Sequence, residues 1–248
     1  MKILLPPSET KKRGGSGAAL DLASLSLPSL APQREEVVSA LVALAGDTAL
    51  SRRVLKLSER QLGEIEHNRA LRVAPTMPAV DRYTGVLYDA LDAVSLNAAS
   101  RRWLGRHVWV HSAPFGPVGA LERIPTYRLA AGTALPGVPP LRRHWAKGVT
   151  SAIESEQPEF ILDLRSEAYV ALGPIPASVP SVYVRVVTEH GRALNHFNKR
   201  AKGELVRALA EQKPRVRTLA ALVEWASSQD IEFRSAEKPG TVDLVVGS

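Results

Sequence analysis

Side chains that could hold and transform a small anion recur along this chain, and most of them follow a run of residues typical of a buried strand. Together they are Ser8, Glu9, Tyr83, Ser112, Arg128, Ser166, Glu167, Tyr169, His196 and Lys199. Burying so many polar groups side by side is unfavourable unless they recognise or transform a ligand. The residue types therefore indicate a site for a small anionic molecule.

Two roles can be assigned within such a site. Arg128, Lys199 and Arg200 would hold a carboxylate or phosphate, the arginines through paired hydrogen bonds. The candidate catalytic residues are Ser166, Glu167, Tyr169 and His196. Glu167 or His196 would move a proton.

Each of these candidates has a simpler explanation. A serine followed by an acid at the start of a helix is a common N-cap, which accounts for Ser166 and Glu167 without catalysis. The G-x-S-x-G frame of a nucleophile elbow is absent around Ser166. His196 is alternatively an ordinary half-buried histidine in a strand.

The most basic part of the chain lies between Arg192 and Arg217, with eight Lys or Arg residues against two acids. The pattern of this segment predicts a helix whose first turn, near Lys199, carries cationic side chains. If Ala201, Leu205, Ala208 and Leu209 form its apolar face, Lys199, Gly203 and Arg207 share the outward face. Gly203 then either lets a backbone or a ligand come close or is simply tolerated. Cations on such a face are alternatively only solvated.

A second basic segment, Ser8–Gly17, follows the first predicted strand and contains Lys11, Lys12 and Arg13 with three glycines. Ligands often bind where a strand of an α/β protein ends. The segment is neither a GxxxxGK[ST] P-loop nor a GxGxxG turn. A mobile polar loop is the alternative.

Composition limits the remaining classes. The chain has 248 residues, a net charge of +7 and no cysteine, which excludes disulfides, thiolate metal ligands and a cysteine nucleophile. Its basic balance favours phosphate-bearing partners. No motif indicates a cofactor or a metal site. With no apolar run of signal-peptide or membrane-span length, we expect a cytoplasmic protein without a membrane partner and favour a monomer.

Strand and helix patterns alternate along the chain, which predicts an α/β (mixed α+β) fold: one compact domain over residues 1–248, with a mixed sheet surrounded by helices. The predicted strands are Lys2–Leu5, Val108–Ser112, Glu159–Leu164, Ser181–Val187 with a return through Ala193 to Phe197, and a terminal hairpin around Lys238–Gly240. The predicted helices include Asp81–Leu91, one capped by Ser100, and Leu141–Glu154. Ser58 and Gln61 form a predicted capping box.

Seven blocks occur in an order that resembles the YaaA family, bacterial proteins of the peroxide-stress response, and specifically its Pro-Ser-Glu branch. The blocks are Pro7–Thr10, Tyr83–Gly85, Ser112–Gly119, Pro125–Leu129, Trp145, Ser166–Tyr169 and His196–Gly203. The resemblance covers nearly the whole chain.

This resemblance implies a YaaA-like fold with a basic cleft, DNA binding through a helix-hairpin-helix-like element, and a role in limiting free iron and oxidative DNA damage. The candidate hairpin is Phe115–Gly119, because such turns use glycines, here Gly116 and Gly119, to present backbone N–H groups to phosphate. Pro114 and Pro117 depart from that pattern, since each proline removes one donor.

Two functions remain in competition. The first is binding of double-stranded DNA or another phosphate-bearing partner, and the alternative is an enzyme acting on a small anionic metabolite. The candidate anion- or DNA-binding residues are Ser8, Lys11, Tyr83, Ser112, Gly116, Gly119, Arg128, Lys199, Arg200, Lys202 and Arg207. A narrow pocket would favour the enzyme, whereas an open basic groove would favour DNA.

Overall fold

A computed structural model, which describes residues 1–190 and 197–247, alternates strands with helices along the chain. The strands are β1 Lys2–Leu5, β2 Met77–Pro78, β3 Val108–Ser112, β4 Gly116–Gly119, β5 Arg123–Ile124, β6 Ile161–Asp163, β7 Ser181–Thr188, β8 Phe233–Ser235 and β9 Thr241–Val246. The helices are α1 Ala31–Leu44, α2 Thr48–Val54, α3 Glu64–Arg69, α4 Ala79–Arg82, α5 Val86–Leu91, α6 Ala98–His107, α7 Leu141–Glu156, α8 Glu167–Val170, α9 Phe197–Gln212 and α10 Leu219–Ser227.

Seven of these strands form one mixed sheet in the order β4-β3-β1-β6-β7-β9-β8. The five central strands are parallel, and the edge strands β4 and β8 pair antiparallel with their neighbours. Ile3, Leu4 and Leu5 of β1 are completely buried at the centre. This architecture confirms the predicted mixed α/β fold.

The chain order of the strands places a topological switch point between β1 and β6. From β1 the chain crosses to β3 on one side, whereas from β6 it crosses to β7 on the other. Connections that leave in opposite directions open a gap beyond the strand ends, and this is where α/β sheets bind ligands. The segments after β1, β3 and β6 therefore lie where a site is expected.

The helix predicted over Asp81–Leu91 is wrong in one respect, because it is broken into α4 and α5. Tyr83 is extended, and Gly85 has a φ of +94°, a conformation that glycine adopts without strain. Thr84 N donates to Thr10 O at 3.1 Å. The break therefore brings Tyr83–Gly85 against the loop that follows β1.

The segment predicted to be a helix-hairpin-helix turn is instead the buried edge strand β4. Gly116 and Gly119 pair with Ser112 and Trp109 of β3, and Gly119 N donates to the Glu122 carboxylate at 2.8 Å. Backbone N–H groups engaged in this way do not form a phosphate-binding turn. The predicted hairpin is therefore wrong, because pairing with β3 determines the conformation of the segment.

Helix α9 forms as predicted, but its orientation differs. Gly203 is buried, and a Cβ built on it would lie 2.2 Å from the Leu87 carbonyl oxygen of α5. The expected outward position of Gly203 is wrong, whereas the alternative of a close backbone approach is confirmed. Because α5 packs against this face of α9, the helix is buried on more than its predicted apolar stripe.

Of the predicted helix-capping residues, some are confirmed and others are not. The Ser58–Gln61 capping box is confirmed, and it opens a short 3-10 turn. Asn97 caps α6 in place of the predicted Ser100, whose backbone N–H is the donor to that cap. The predicted return strand through Ala193 lies outside the described residues. No helix in the described part of the chain is long and apolar enough to cross a membrane.

Candidate functional site

The loop after β1 folds its lysine back onto its own backbone. Lys11 Nζ donates to the Ser8 carbonyl oxygen at 2.9 Å and to the Glu9 carbonyl oxygen at 3.2 Å. The same nitrogen lies 4.1 Å from the centre of the Tyr127 ring and 5.6 Å from that of Tyr83. These contacts fix the ammonium beside two aromatic faces, which attract cations.

Two tyrosine hydroxyls form the floor beneath that lysine. Tyr83 and Tyr127 share a hydrogen bond of 2.8 Å between their hydroxyl oxygens, and Ser112 Oγ donates to the Tyr127 hydroxyl at 3.2 Å. All three side chains are buried. Burial raises the pKa of Tyr83 and of Tyr127 well above the usual value, so both keep their protons.

Lys11 has an unusual environment for an ammonium group. Its pKa is lowered from 10.5 to about 7, mainly by burial and in smaller part by the nearby Arg128, whereas Glu64 and Glu9 oppose the shift. In the described part of the chain no carboxylate lies within ion-pair distance of Lys11. A group that titrates near neutral pH can give or take a proton under ordinary conditions.

Arg128 forms the wall of the same site. Its side chain is 15% exposed and lies 3.5 Å from the exposed Glu9 carboxylate, a long ion-pair contact. Asn68 fixes its backbone, because Asn68 Oδ1 accepts from Arg128 N at 2.8 Å and Asn68 Nδ2 donates to Arg128 O at 2.9 Å. We call the set Ser8, Glu9, Lys11, Tyr83, Ser112, Tyr127 and Arg128 the strand-end cluster.

A fully buried arginine holds the segments of this cluster together. The Arg82 guanidinium donates to the Ile124 and Lys12 carbonyl oxygens and to Thr126 Oγ1, over 2.6 to 3.1 Å. Its bonds join the loop after β1 to the segment that carries Tyr127. Buried hydrogen bonds of a charged donor are among the stronger ones, so Arg82 positions the site without belonging to it.

A second buried arginine organises the carboxyl end of β6. Arg165 binds both oxygens of Asp163, at 2.9 and 2.7 Å, and donates to His111 Nδ1 at 2.9 Å and to Gly173 O at 2.8 Å. Because a guanidinium only donates, His111 carries its proton on Nε2. Burial, assisted by Arg165, lowers the pKa of His111 well below its usual value, so the ring is neutral.

The predicted catalytic residues of α8 are divided between two sides of that helix. Tyr169 lies toward the strand-end cluster, where Tyr127 and Glu9 interact with it electrostatically, and burial raises its pKa. Glu167 and Ser166 are exposed, and Glu167 lines a separate pocket. Ser166 occupies the N-cap position of α8 without a capping hydrogen bond from its side chain. His196 lies outside the described residues.

The cations of α9 are not brought together. Arg200 is exposed and pairs with Glu204 at 2.8 Å, Arg207 binds the Leu91 and Asp92 carbonyl oxygens, and Lys199 is exposed. Lys202, by contrast, is buried. Of the binding residues predicted from the sequence, the structure therefore groups Ser8, Lys11, Tyr83, Ser112 and Arg128. Gly116 and Gly119 are engaged in the pairing of β4 with β3, and Arg200 and Arg207 have other partners.

Sequence reasoning missed the residues that hold this arrangement in place. Tyr127 completes the cluster, and Arg82 and Arg165 fix its loops. One signal was available for Arg165: Asp163 is a charged residue inside an apolar strand, and Arg165, two positions later, is on the same side of the chain. Tyr127 lies in the Pro125–Leu129 block and Arg82 in the predicted helix Asp81–Leu91, but nothing local indicated a role in the site for either residue.

The cluster combines a cation of adjustable charge, a second cation and several hydroxyl groups. Lys11 and Arg128 are suited to anionic oxygens, and the tyrosine pair with Ser112 can orient them. Among residues 1–190 and 197–247, no group of three or more His, Asp or Glu side chains could hold a metal ion. The chemistry that the described groups offer is anion binding with proton transfer.

Comparison with known proteins adds a family context. The family model described as peroxide stress protein YaaA matches residues 1–236. A UPF0246 protein of Corynebacterium efficiens is 44% identical over 254 residues, covering 99% of this chain and all of that protein. A UPF0246 protein of Streptomyces coelicolor is 42% identical, with 99% and 98% covered. An uncharacterized protein of Campylobacter jejuni is 26% identical over 99% of the chain.

Proposed function

The chain belongs to the family of the peroxide stress protein YaaA, and we propose that it is an enzyme acting on a small carboxylate or phosphate metabolite in the strand-end cluster. The observation that carries the proposal is the convergence of Lys11 and Arg128 over the buried Tyr83–Tyr127 hydroxyl pair. Arg128 binds the anionic oxygens, and Lys11 exchanges a proton with the bound molecule.

The arrangement favours a small ligand over a duplex. Tyr83, Tyr127 and Ser112 are at most 2% exposed, so the groups that an incoming anion meets are the partly buried Lys11 and Arg128. The Glu9 carboxylate lies at a long distance from Arg128 and is itself exposed, and an incoming anion would replace it. Desolvated cations of this kind recognise small anions more strongly than exposed ones do.

Sulfate tests this proposal because its charge stays constant between pH 5.5 and 9. We expect calorimetric titration to show sulfate binding that weakens as the pH rises through about 7, since Lys11 then loses its charge. In Lys11→Met the pH dependence disappears and binding weakens by about tenfold or more. Lys147→Met, at an exposed lysine of α7, is the matched control and behaves as the unsubstituted protein.

The result that overturns the proposal is equally clear. Arg128, Arg82, Glu64 and Glu9 are the charged groups that act on Lys11, and all four are unchanged in Lys11→Met. Sulfate binding that is independent of pH, or that is equally strong in Lys11→Met, therefore removes the role of Lys11.

Duplex binding is a second candidate, favoured by the exposed Lys12 and Arg13 next to the cluster. Neither forms an ion pair with any described residue. If they contact phosphates, the logarithm of duplex affinity falls with that of the salt concentration by about 0.9 per contact. The double variant Lys12→Ala, Arg13→Ala should then reduce the steepness of this salt dependence by about two. The double variant Lys199→Ala, Arg200→Ala is measured beside it for comparison. Duplex binding indifferent to salt would contradict this candidate.

The effect on free iron and oxidative DNA damage is part of the same proposal. It would follow from the metabolite that the enzyme consumes or makes, and the expected cytoplasmic location is consistent with such a role.

A further inference from the structure

A second pocket lies on the other side of α8 from the strand-end cluster. It is open to solvent, with a volume of about 570 Å³, which is in the range of small-molecule sites. We call it the β7 pocket, and its lining residues are Asp163, Glu167, Val170, Ala171, Pro174, Ile175, Ser181, Tyr183, Lys238, Pro239, Gly240 and Thr241. Its lining is mixed: Asp163, Glu167 and Lys238 are charged, Val170 and Ile175 are apolar, and Tyr183 supplies an aromatic surface.

Lys202 of α9 lies near two residues that line this pocket, Asp163 and Tyr183, as a buried cation without an ion-pair partner among the described residues. It is 4% exposed, and its Nζ lies 5.4 Å from the centre of the Tyr183 ring. No described residue accepts a hydrogen bond from it or pairs with it. Asp163 interacts with Lys202 electrostatically, but both Asp163 oxygens are already bound by Arg165.

An unpaired buried ammonium destabilises a fold unless something else compensates its charge. Structural lysines avoid this by extending their ammonium groups into solvent. Lys202 does not, although it is in the second turn of a helix with exposed positions on either side at Arg200 and Glu204. Its burial therefore leaves a positive charge that an anionic oxygen of a ligand would compensate.

A second unpaired group lies on the same face of α9. Asn198 Oδ1 is cut off from solvent and has no donor among the described residues. Asn198 and Lys202 are four positions apart, so their side chains project to the same side of the helix. On this face of α9, the Asn198 Oδ1 acceptor lacks a donor and the Lys202 ammonium group lacks an acceptor among the described residues. A ligand that satisfies both needs a hydroxyl group near an anionic group.

We propose that Asn198, Lys202 and Tyr183 bind a small hydroxylated anion, either a hydroxy acid or a hydroxyalkyl phosphate, at the edge of the β7 pocket. The anionic oxygen accepts from Lys202 Nζ, and the hydroxyl group donates to Asn198 Oδ1. The carbon chain of the ligand lies against Tyr183 and the apolar wall formed by Val170 and Ile175. This site is separate from the strand-end cluster and does not depend on its function.

Four probes distinguish the parts of this proposal by calorimetric titration at pH 7. Glycerate and glycerol 3-phosphate carry hydroxyl groups beside a carboxylate or a phosphate, whereas propionate and propyl phosphate lack the hydroxyls. We expect one hydroxylated probe to bind more tightly than its hydroxyl-free analogue. Which of the two binds identifies the anionic group as carboxylate or phosphate.

Variants assign that binding to the pocket. In Lys202→Met the number of probe molecules bound per chain falls by one, and Asn198→Ala removes the preference for the hydroxylated probe. Lys147→Met, which removes an exposed lysine, changes neither. Because the measurement counts probe molecules bound per chain, binding at the strand-end cluster does not obscure the loss of one site. A negative result for one site therefore leaves the proposal for the other site intact.

The proposal is overturned if no probe binds to the unsubstituted protein, or if Lys202→Met binds as many molecules as Lys147→Met. Lys202→Met keeps the length of the side chain and removes a buried charge, so it should fold. Should it not, Lys202→Gln replaces it, with the same expected loss of one bound molecule.

Discussion

Lys11 and Lys202 are two desolvated lysines that illustrate opposite uses of the same residue type. Burial lowers the pKa of each, to about 7 for Lys11 and to about 8 for Lys202. Lys11 donates two hydrogen bonds to carbonyl oxygens of its own loop and lies on the Tyr127 ring. Lys202 donates none to the described residues; the Tyr183 ring lies 5.4 Å from its Nζ, and Asp163 acts on it electrostatically.

This difference in hydrogen bonding indicates that Lys11, but not Lys202, stabilises the fold. Lys11 shapes the loop after β1, so its bonds contribute to stability as well as to any bound anion. Lys202 makes no hydrogen bond or ion pair with the described residues, and its burial opposes folding. The helix α8 belongs to both regions, since Tyr169 lies toward the strand-end cluster and Glu167 lines the β7 pocket.

The largest effect is expected where both regions share a support, at Arg165. Arg165→Met leaves the buried Asp163 carboxylate without its ion-pair partner, and we expect a loss of about 3–5 kcal/mol in unfolding free energy, measured by urea denaturation. The double variant Asp163→Leu, Arg165→Met removes the orphaned charge and should recover most of the loss. A single variant as stable as the unsubstituted protein would show that the two regions do not rely on this pair.

Replacing Lys11 or Lys202 should change the unfolding free energy by a smaller amount, and the two changes should have opposite signs. At pH 7, Lys11→Met should lower the unfolding free energy by about 1–2 kcal/mol, because two hydrogen bonds to carbonyl oxygens are lost. Lys202→Met should raise it by about 1 kcal/mol or more, because an unpaired charge leaves the interior. Equal losses in both variants would contradict the contrast.

The pH dependence of that gain has a defined direction. The folded pKa of Lys202 is about 8 and its unfolded value is 10.5, so between these values the unfolded chain binds more protons. Stability of the unsubstituted protein then rises with pH in this window. The advantage of Lys202→Met is therefore largest below pH 8 and shrinks toward pH 10.5, which urea denaturation at pH 7, 9 and 10 measures. Asp163 and Tyr183 are the titratable neighbours of Lys202 and are unchanged in the comparison.

Much of the fold could be predicted because its signals are local. The apolar run Lys2–Leu5, the β-branched residues of Ser181–Val187 and the Pro-Gly turn before β9 each specify an element within a few residues. All three predictions are confirmed. The break at Tyr83–Gly85 could not be predicted in this way, since it depends on bonding to a loop more than 70 positions earlier.

The site follows the same division. The sequence determined which polar residues stand at strand ends, because periodicity and strand-ending prolines mark those ends locally, and it placed Ser8, Lys11, Ser112 and Arg128 among the candidates. Only the tertiary structure decided which of them meet. Tyr83 and Tyr127 are 44 positions apart, and Glu9 and Arg128 are 119 apart. Such contacts are fixed by the order of parallel strands in the sheet and by buried arginines that bind loop carbonyl groups, neither of which leaves a local pattern.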